Sequence, residues 1–225
     1  MKLRIAVLVV VVGLVVGSVW VCGSVYAVAG EQASMAAGSV AMGVLAGGEH
    51  EFVGSKKCKM CHSKQYKSWA ITTHGTAFDI LKPGERTEAK VKYKLDPAKD
   101  YTADKDCLGC HTTGYGKAGG YAVPDAADEK AVKKMAKLAG VGCESCHGPG
   151  KDYNKVKKSI KKEKRNYKFD ELAAAGMTEI EAGTCTGCHS DKSPTFDASK
   201  TLDFEKACKD EKAVHTRIPL KLREG

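Results

Sequence analysis

The chain has 225 residues, with 36 Lys and Arg against 27 Asp and Glu, a formal net charge of +9 and ten cysteines. That positive balance does not by itself single out nucleic acid as a partner. Aromatic residues make up only 7%, which fits an interior filled by something other than large side chains.

In chain order, the first element is an export signal. Lys2 and Arg4 form a positive n-region, Ile5 to Val21 an almost unbroken apolar run, and Ala27-Val28-Ala29 the expected cleavage site. The apolar run is as short as a spanning helix can be, so cleavage is favoured over an uncleaved anchor. Cys22 follows Val21, where a lipoprotein signal needs a small residue. The expected division is a cleaved signal over 1–29 and one domain over 30–225, periplasmic or extracellular, with no stable membrane insertion. Losing Lys2 and Arg4 lowers the net charge from +9 to +7. Nine cysteines then remain in an oxidising compartment, where disulfides would be usual, but their spacing argues otherwise.

His50 comes first, near the mature N-terminus. Cys58-Lys-Met-Cys61-His62 follows, and a helix is expected over Ser63 to Ile71, with His74 just beyond it. Cys107-Leu-Gly-Cys110-His111 leads into a glycine-rich loop over Thr113 to Pro124. Asp128 to Leu138 has helical composition and stops at Gly140, a C-terminal cap. Cys143-Glu-Ser-Cys146-His147 precedes a run from Lys155 to Arg165 with seven basic residues. That run is read as a solvated loop or helix face, with a docking patch for an acidic redox partner as the sharper alternative. A helix is expected over Asp170 to Ala182, weakened by Gly176. Cys185-Thr-Gly-Cys188-His189 follows, and a last helix over Asp203 to His215.

Four copies of C-x-x-C-H dominate this order. The motif attaches c-type haem: two thiols add to the vinyl groups of one porphyrin, and the adjacent imidazole reaches the iron. Paired C-x-x-C units can also build zinc sites, but zinc has no need of a histidine after every pair. Thioredoxin-like motifs require a βαβ frame, and no strand alternation is visible. The reading is four covalently bound haems held by Cys58, Cys61, Cys107, Cys110, Cys143, Cys146, Cys185 and Cys188, with His62, His111, His147 and His189 as proximal ligands. Cys208 is left over and is read as a small core residue, with an intermolecular disulfide as the sharper alternative.

The expected mature chain has 196 residues, or 49 per haem. That is too little protein for four separate cores, so the haems must share one. The expected fold is mainly α: short helices and long loops wrapped around four closely packed haems, with little or no β-sheet. Three histidines stand outside the motifs: His50, His74 and His215. They are the candidates for sixth ligands, and four haems cannot all be bis-histidine within one chain. Either one iron is open, or Met, Lys or a neighbouring subunit fills in. Met60, Met135 and Met177 are read as packing residues.

The runs Lys94 to Cys107, Thr112 to Tyr121 and Gly140 to Gly150 resemble one family over about Phe52 to His215. It is the tetrahaem cytochrome c family typified by the electron acceptor of hydroxylamine oxidoreductase in ammonia-oxidising bacteria. The resemblance implies a helical fold with haems stacked in pairs. It implies His74 as distal ligand to the third-motif haem and His215 to the fourth. It also implies a five-coordinate haem on His111 that binds nitric oxide, and a multihaem oxidoreductase such as hydroxylamine oxidoreductase as partner. One departure stands out. The family completes its first haem with a histidine soon after the third motif, and no histidine lies between His147 and His189 here. His50 is the nearest replacement, from the same chain or from another copy in a homo-oligomer. The leading function is therefore electron transfer between redox partners, with no catalytic residue assigned. The alternatives are nitric oxide binding or reduction at an open iron on His111 or His62, and a subunit of an extracellular haem filament.

Overall fold

A computed structural model describes residues 49–219. The expected signal segment and the start of the expected domain lie outside them. Nine helices run in chain order among the described residues: α1 Ser63–Trp69, α2 Thr87–Lys92, α3 Lys105–His111, α4 Glu129–Met135, α5 Cys143–His147, α6 Gly150–Glu163, α7 Phe169–Ala173, α8 Ala182–Thr186 and α9 Phe204–Lys209. Two 3₁₀ turns cover Ser55–Met60 and Asp79–Leu81. Pairing of β type is confined, among the described residues, to an isolated bridge between Thr112 and Ala139. The mainly helical expectation holds.

Short polar side chains set the helix starts. Asp128 Oδ1 accepts from the Lys130 and Ala131 amides at 2.9 and 3.0 Å, and Asp203 Oδ1 accepts from Lys206 at 3.0 Å. Both satisfy amides that a helix N-terminus leaves unpaired. The expected helix over Asp170 to Ala182 is much shorter. Gly176 has φ +98°, its amide bonds Ala173 O at 2.9 Å, and the Met177 amide bonds Leu172 O at 2.9 Å. That pattern is a Schellman stop, so Gly176 ends α7 rather than weakening it. The last helix also ends early, at Lys209, which leaves His215 outside any helix.

The lysine run proves to be most of α6, the longest helix among the described residues. Tyr153 and Ile160 are buried and Val156 packs against them, while Lys155, Lys158, Lys161 and Lys162 are exposed. The i, i+3, i+7 spacing explains the inward stripe. Leu172 and Ala175 complete this small cluster. A second cluster of Leu81, Tyr101, Leu108, Tyr121, Met135 and Leu138 surrounds the second motif. Met135 and Met177 pack in these clusters, as expected, whereas Met60 is 69% exposed.

Candidate haem-ligand centre

Positions i, i+3 and i+4 of a helical turn share one face, and C-x-x-C-H occupies those three. Each motif accordingly lies on a helical turn. The second lies inside α3 and the third forms α5. In the first and fourth, the histidine amide bonds the carbonyl of the leading cysteine at 2.9 Å: His62 to Cys58, and His189 to Cys185. Two thiols and an imidazole thus leave one side of each turn together.

The four motifs also meet one another. The Cys58 and Cys143 side chains lie within interaction range of each other, as do those of Cys110 and Cys188. Cys146 lies close enough to Cys185 for their charges to interact. Haem attachment turns these thiols into thioethers, so the contacts report which motifs are neighbours: first with third, second with fourth, third with fourth. Cys208 on α9 sits near Cys146 and Cys185 and is half-buried.

Each non-motif histidine has a definite place. His74 faces His189, with ring centres 6.0 Å apart. His215 faces His147 at 6.4 Å. An imidazole nitrogen lies about 2.0 Å from a ligated metal and about 1.1 Å from its own ring centre, so two imidazoles across one iron have centres about 6 Å apart. Both separations fit an iron between the rings. These proximities differ from the pairing that the resemblance implies: His74 lies beside the fourth-motif histidine and His215 beside the third. The reason is long-range docking. The C-terminal segment lies along α1 and the turn after it, with the Thr216 amide on Ser68 Oγ at 2.8 Å and His74 Nδ1 on Ala213 O at 2.8 Å. Two distal histidines thus arrive side by side, and chain order does not decide which motif each one meets. His50 is placed differently. Its Nδ1 is 3.0 Å from Asp152 Oδ2, and its ring packs on Gly176.

The orientation of the imidazoles suits ligation. Nδ1 of His111, His74 and His215 lies 2.7, 2.8 and 3.0 Å from the carbonyls of Ala77, Ala213 and Thr216. A carbonyl can only accept, so Nδ1 carries the proton and Nε2 keeps its lone pair for a metal. Burial, then the neighbouring His215, Lys157 and His62, pushes His147 down to about 4. His62 and His189 are lowered too, chiefly by burial. All three are neutral at pH 7, the form that binds iron.

Two groups that the sequence did not single out complete the centre. Glu144, inside the third motif, is 1% exposed and accepts from the amides of Val53, Gly54 and Gly150. It ties the chain before the first motif to the start of α6. Lys157 turns inward from α6, with its Nζ 5.9 Å from the Tyr153 ring centre, and its charge acts on Cys58, Cys61, His62 and His147. Burial holds its ammonium below the usual lysine range. Its position in the stripe with Tyr153 and Ile160 was the readable signal.

A family profile described as "Cytochrome c554 and c-prime" matches residues 57–148. Cytochrome c-554 of Nitrosomonas europaea is 39% identical over 188 residues, covering 75% of this chain and 77% of that protein. The chain belongs to the cytochrome c554 family. The solved structure of reduced cytochrome c554 from Nitrosomonas europaea matches it with a TM-score of 0.63 at 39% identity, over 74% of this chain and 86% of that one. As a cytochrome c554 homologue, the protein carries four covalently bound c-type haems. None of the helices among the described residues is long and apolar enough to cross a membrane.

Proposed function

We propose that this cytochrome c554 homologue carries electrons between redox proteins outside the cytoplasm. The observation that carries this reading is the contact between attachment sites: Cys58 with Cys143, Cys110 with Cys188, and Cys146 beside Cys185. When bound, each haem supplies an iron that alternates between ferric and ferrous states. Everything else is the work of the chain. Eight motif cysteines anchor, and His62, His111, His147 and His189 stand as proximal ligands. His74 closes the site of His189, and His215 that of His147. The carbonyls of Ala77, Ala213 and Thr216 hold the Nδ1 protons of His111, His74 and His215 and so aim Nε2.

Location outside the cytoplasm is supported by the apolar run Ile5 to Val21 with its positive flank. The exposed lysines of α6 form a face suited to an acidic partner, where charge raises the encounter rate. A multihaem oxidoreductase such as hydroxylamine oxidoreductase is the partner the resemblance implies. The test is a pyridine haemochrome count combined with a reductive titration of the purified protein. Four haems taking up four electrons reversibly is the expected result; a count near zero overturns the reading.

One observation favours a second activity. His74, His215 and His50 are engaged with His189, His147 and Asp152, which leaves His62 and His111 without a paired imidazole among the described residues, and the resemblance marks His111 as the open one. An iron held there would bind a small ligand such as nitric oxide, and a ferrous nitrosyl spectrum at one haem per chain is the check.

A further inference from the structure

We propose that the exposed back of the first motif is the electron port of the molecule, the face on which an acidic one-electron protein docks to exchange electrons with the haem on His62. This rests on the electron-carrier reading above and names the surface used and the partner that fits it.

Helical geometry gives each C-x-x-C-H turn a front and a back. The two cysteines and the histidine share one face, so the two residues between the cysteines point away from the porphyrin. The four backs differ. The second and third motifs turn one of these residues into protein, Leu108 at 0% and Glu144 at 1% exposure. The fourth leaves Thr186 and Gly187 exposed, but Glu179, Glu181 and Asp191 flank it against one lysine, Lys192. Only the first is both open and basic. Lys59 and Met60 are exposed, and residues 52–78 hold five lysines and no Asp or Glu. Lys56, Lys57, Lys59, Lys64 and Lys67 are all exposed, and among the described residues none has a carboxylate partner. The C-terminal segment along α1 adds Glu211 and Arg217, whose charges cancel; Glu211 Oε1 accepts from the Arg217 amide at 2.7 Å. On α6, by contrast, Asp152 pairs with Lys155 at 2.7 Å and Glu163 with Arg165 at 2.6 Å, and that helix carries no motif.

The face suits docking in two ways. Its lysines raise the encounter rate with a negative partner, and Met60 offers a flexible thioether of the kind adaptable binding surfaces use. That role accounts for the one methionine that does not pack as expected. In the exchange one electron crosses from the partner's redox centre to the ferric iron, oxidising the one and reducing the other, with no bond made or broken. Cys58 and Cys61 tie the porphyrin to the docking turn itself. The turn is also built onto the third motif: the Cys143 amide donates to Ser55 Oγ at 3.1 Å, and Trp69 Nε1 donates to the Val141 carbonyl at 2.9 Å.

The experiment uses the full haem-loaded protein at a confirmed count of four haems, with reduced flavodoxin, an acidic one-electron donor, as the probe. Stopped-flow reduction of the ferric protein is compared for wild type, Lys59→Glu/Lys64→Glu and Lys161→Glu/Lys162→Glu on α6. The first pair is expected to slow the second-order rate about tenfold at low ionic strength and to flatten its salt dependence, the α6 pair to change it less than about twofold. Oxidation of the ferrous protein by hexaammineruthenium(III), a small cation, should speed up in Lys59→Glu/Lys64→Glu, whereas damage to the haem site would slow both reactions. Four haems with a flavodoxin rate blind to salt and to the first pair would overturn the port and leave the carrier reading standing, as would an α6 effect equal to or larger than that of the first pair. A haem count near zero would overturn the carrier reading and the port with it.

Discussion

Replacing Glu144 tests whether the clasp around the third motif is as tight as it looks. Oε1 accepts from Val53 at 3.0 Å and Gly150 at 2.6 Å, and Oε2 from Gly54 at 2.6 Å. The residue is 1% exposed, so water does not replace what is lost. Glu144→Gln keeps one oxygen but sets an amide N–H against a backbone N–H. One orphaned buried donor costs about 1–3 kcal/mol. Burial raises the carboxyl pKa despite its three amide partners, so removing the charge returns part of its desolvation cost. The net expectation is about 2 kcal/mol for Glu144→Gln and about 4 kcal/mol for Glu144→Ala, which strands all three donors. The assay is guanidinium unfolding of four-haem protein followed by Soret circular dichroism, with hydrogen exchange at Val53, Gly54 and Gly150. A Glu144→Gln midpoint equal to wild type, with those amides still protected, would refute the reasoning.

Three further outcomes follow from the geometry. His74→Ala and His215→Ala are each expected to turn one haem high-spin while four remain attached; a wild-type paramagnetic resonance spectrum in either variant contradicts the corresponding pairing. Asp152 is held down at about 2, first by its hydrogen bond to His50 and then by Lys155. Its contribution is therefore present above the unfolded value of about 3.9 and is lost as pH falls through about 2. The stability gap between wild type and Asp152→Asn should narrow as pH falls from about 4 toward 2; a gap that persists undiminished at pH 2 argues against the pair. In Gly120→Ala the new Cβ would fall 1.7 Å from the Gly114 carbonyl oxygen, so the loop must shift. A loss of about 3 kcal/mol is expected from thermal or guanidinium unfolding, and an unchanged midpoint would mean that the loop yields freely.

What the sequence made legible was local. The i, i+3, i+4 spacing of C-x-x-C-H specified which side chains share a face, and Asp128 and Asp203 marked helix starts that the structure keeps. The loop over Thr113 to Pro124 is irregular, as its glycines suggest. Composition misled where it drowned periodicity. The lysines around Tyr153, Val156 and Ile160 hid an amphipathic helix, and with it the half-buried Lys157. The histidine pairing was beyond reach for a different reason. It depends on residues 213–216 lying along α1, a contact between the two ends of the domain that no local pattern encodes.

That contact bears on how the molecule is put together. His74 precedes the histidine it faces by 115 residues, and His215 follows its counterpart by 68. Each pairing therefore closes a long loop, in a chain whose buried clusters are small. Ligation at these two sites would act as a pair of long-range cross-links, restraining the unfolded chain as disulfides do in small secreted proteins. It also sets an order of maturation. Cysteine attachment at each motif needs only a local turn, but the site of His147 would close only once residues 213–216 have been made and docked along α1. A polypeptide cut short before His215 would keep all four attachment motifs and still leave that site open.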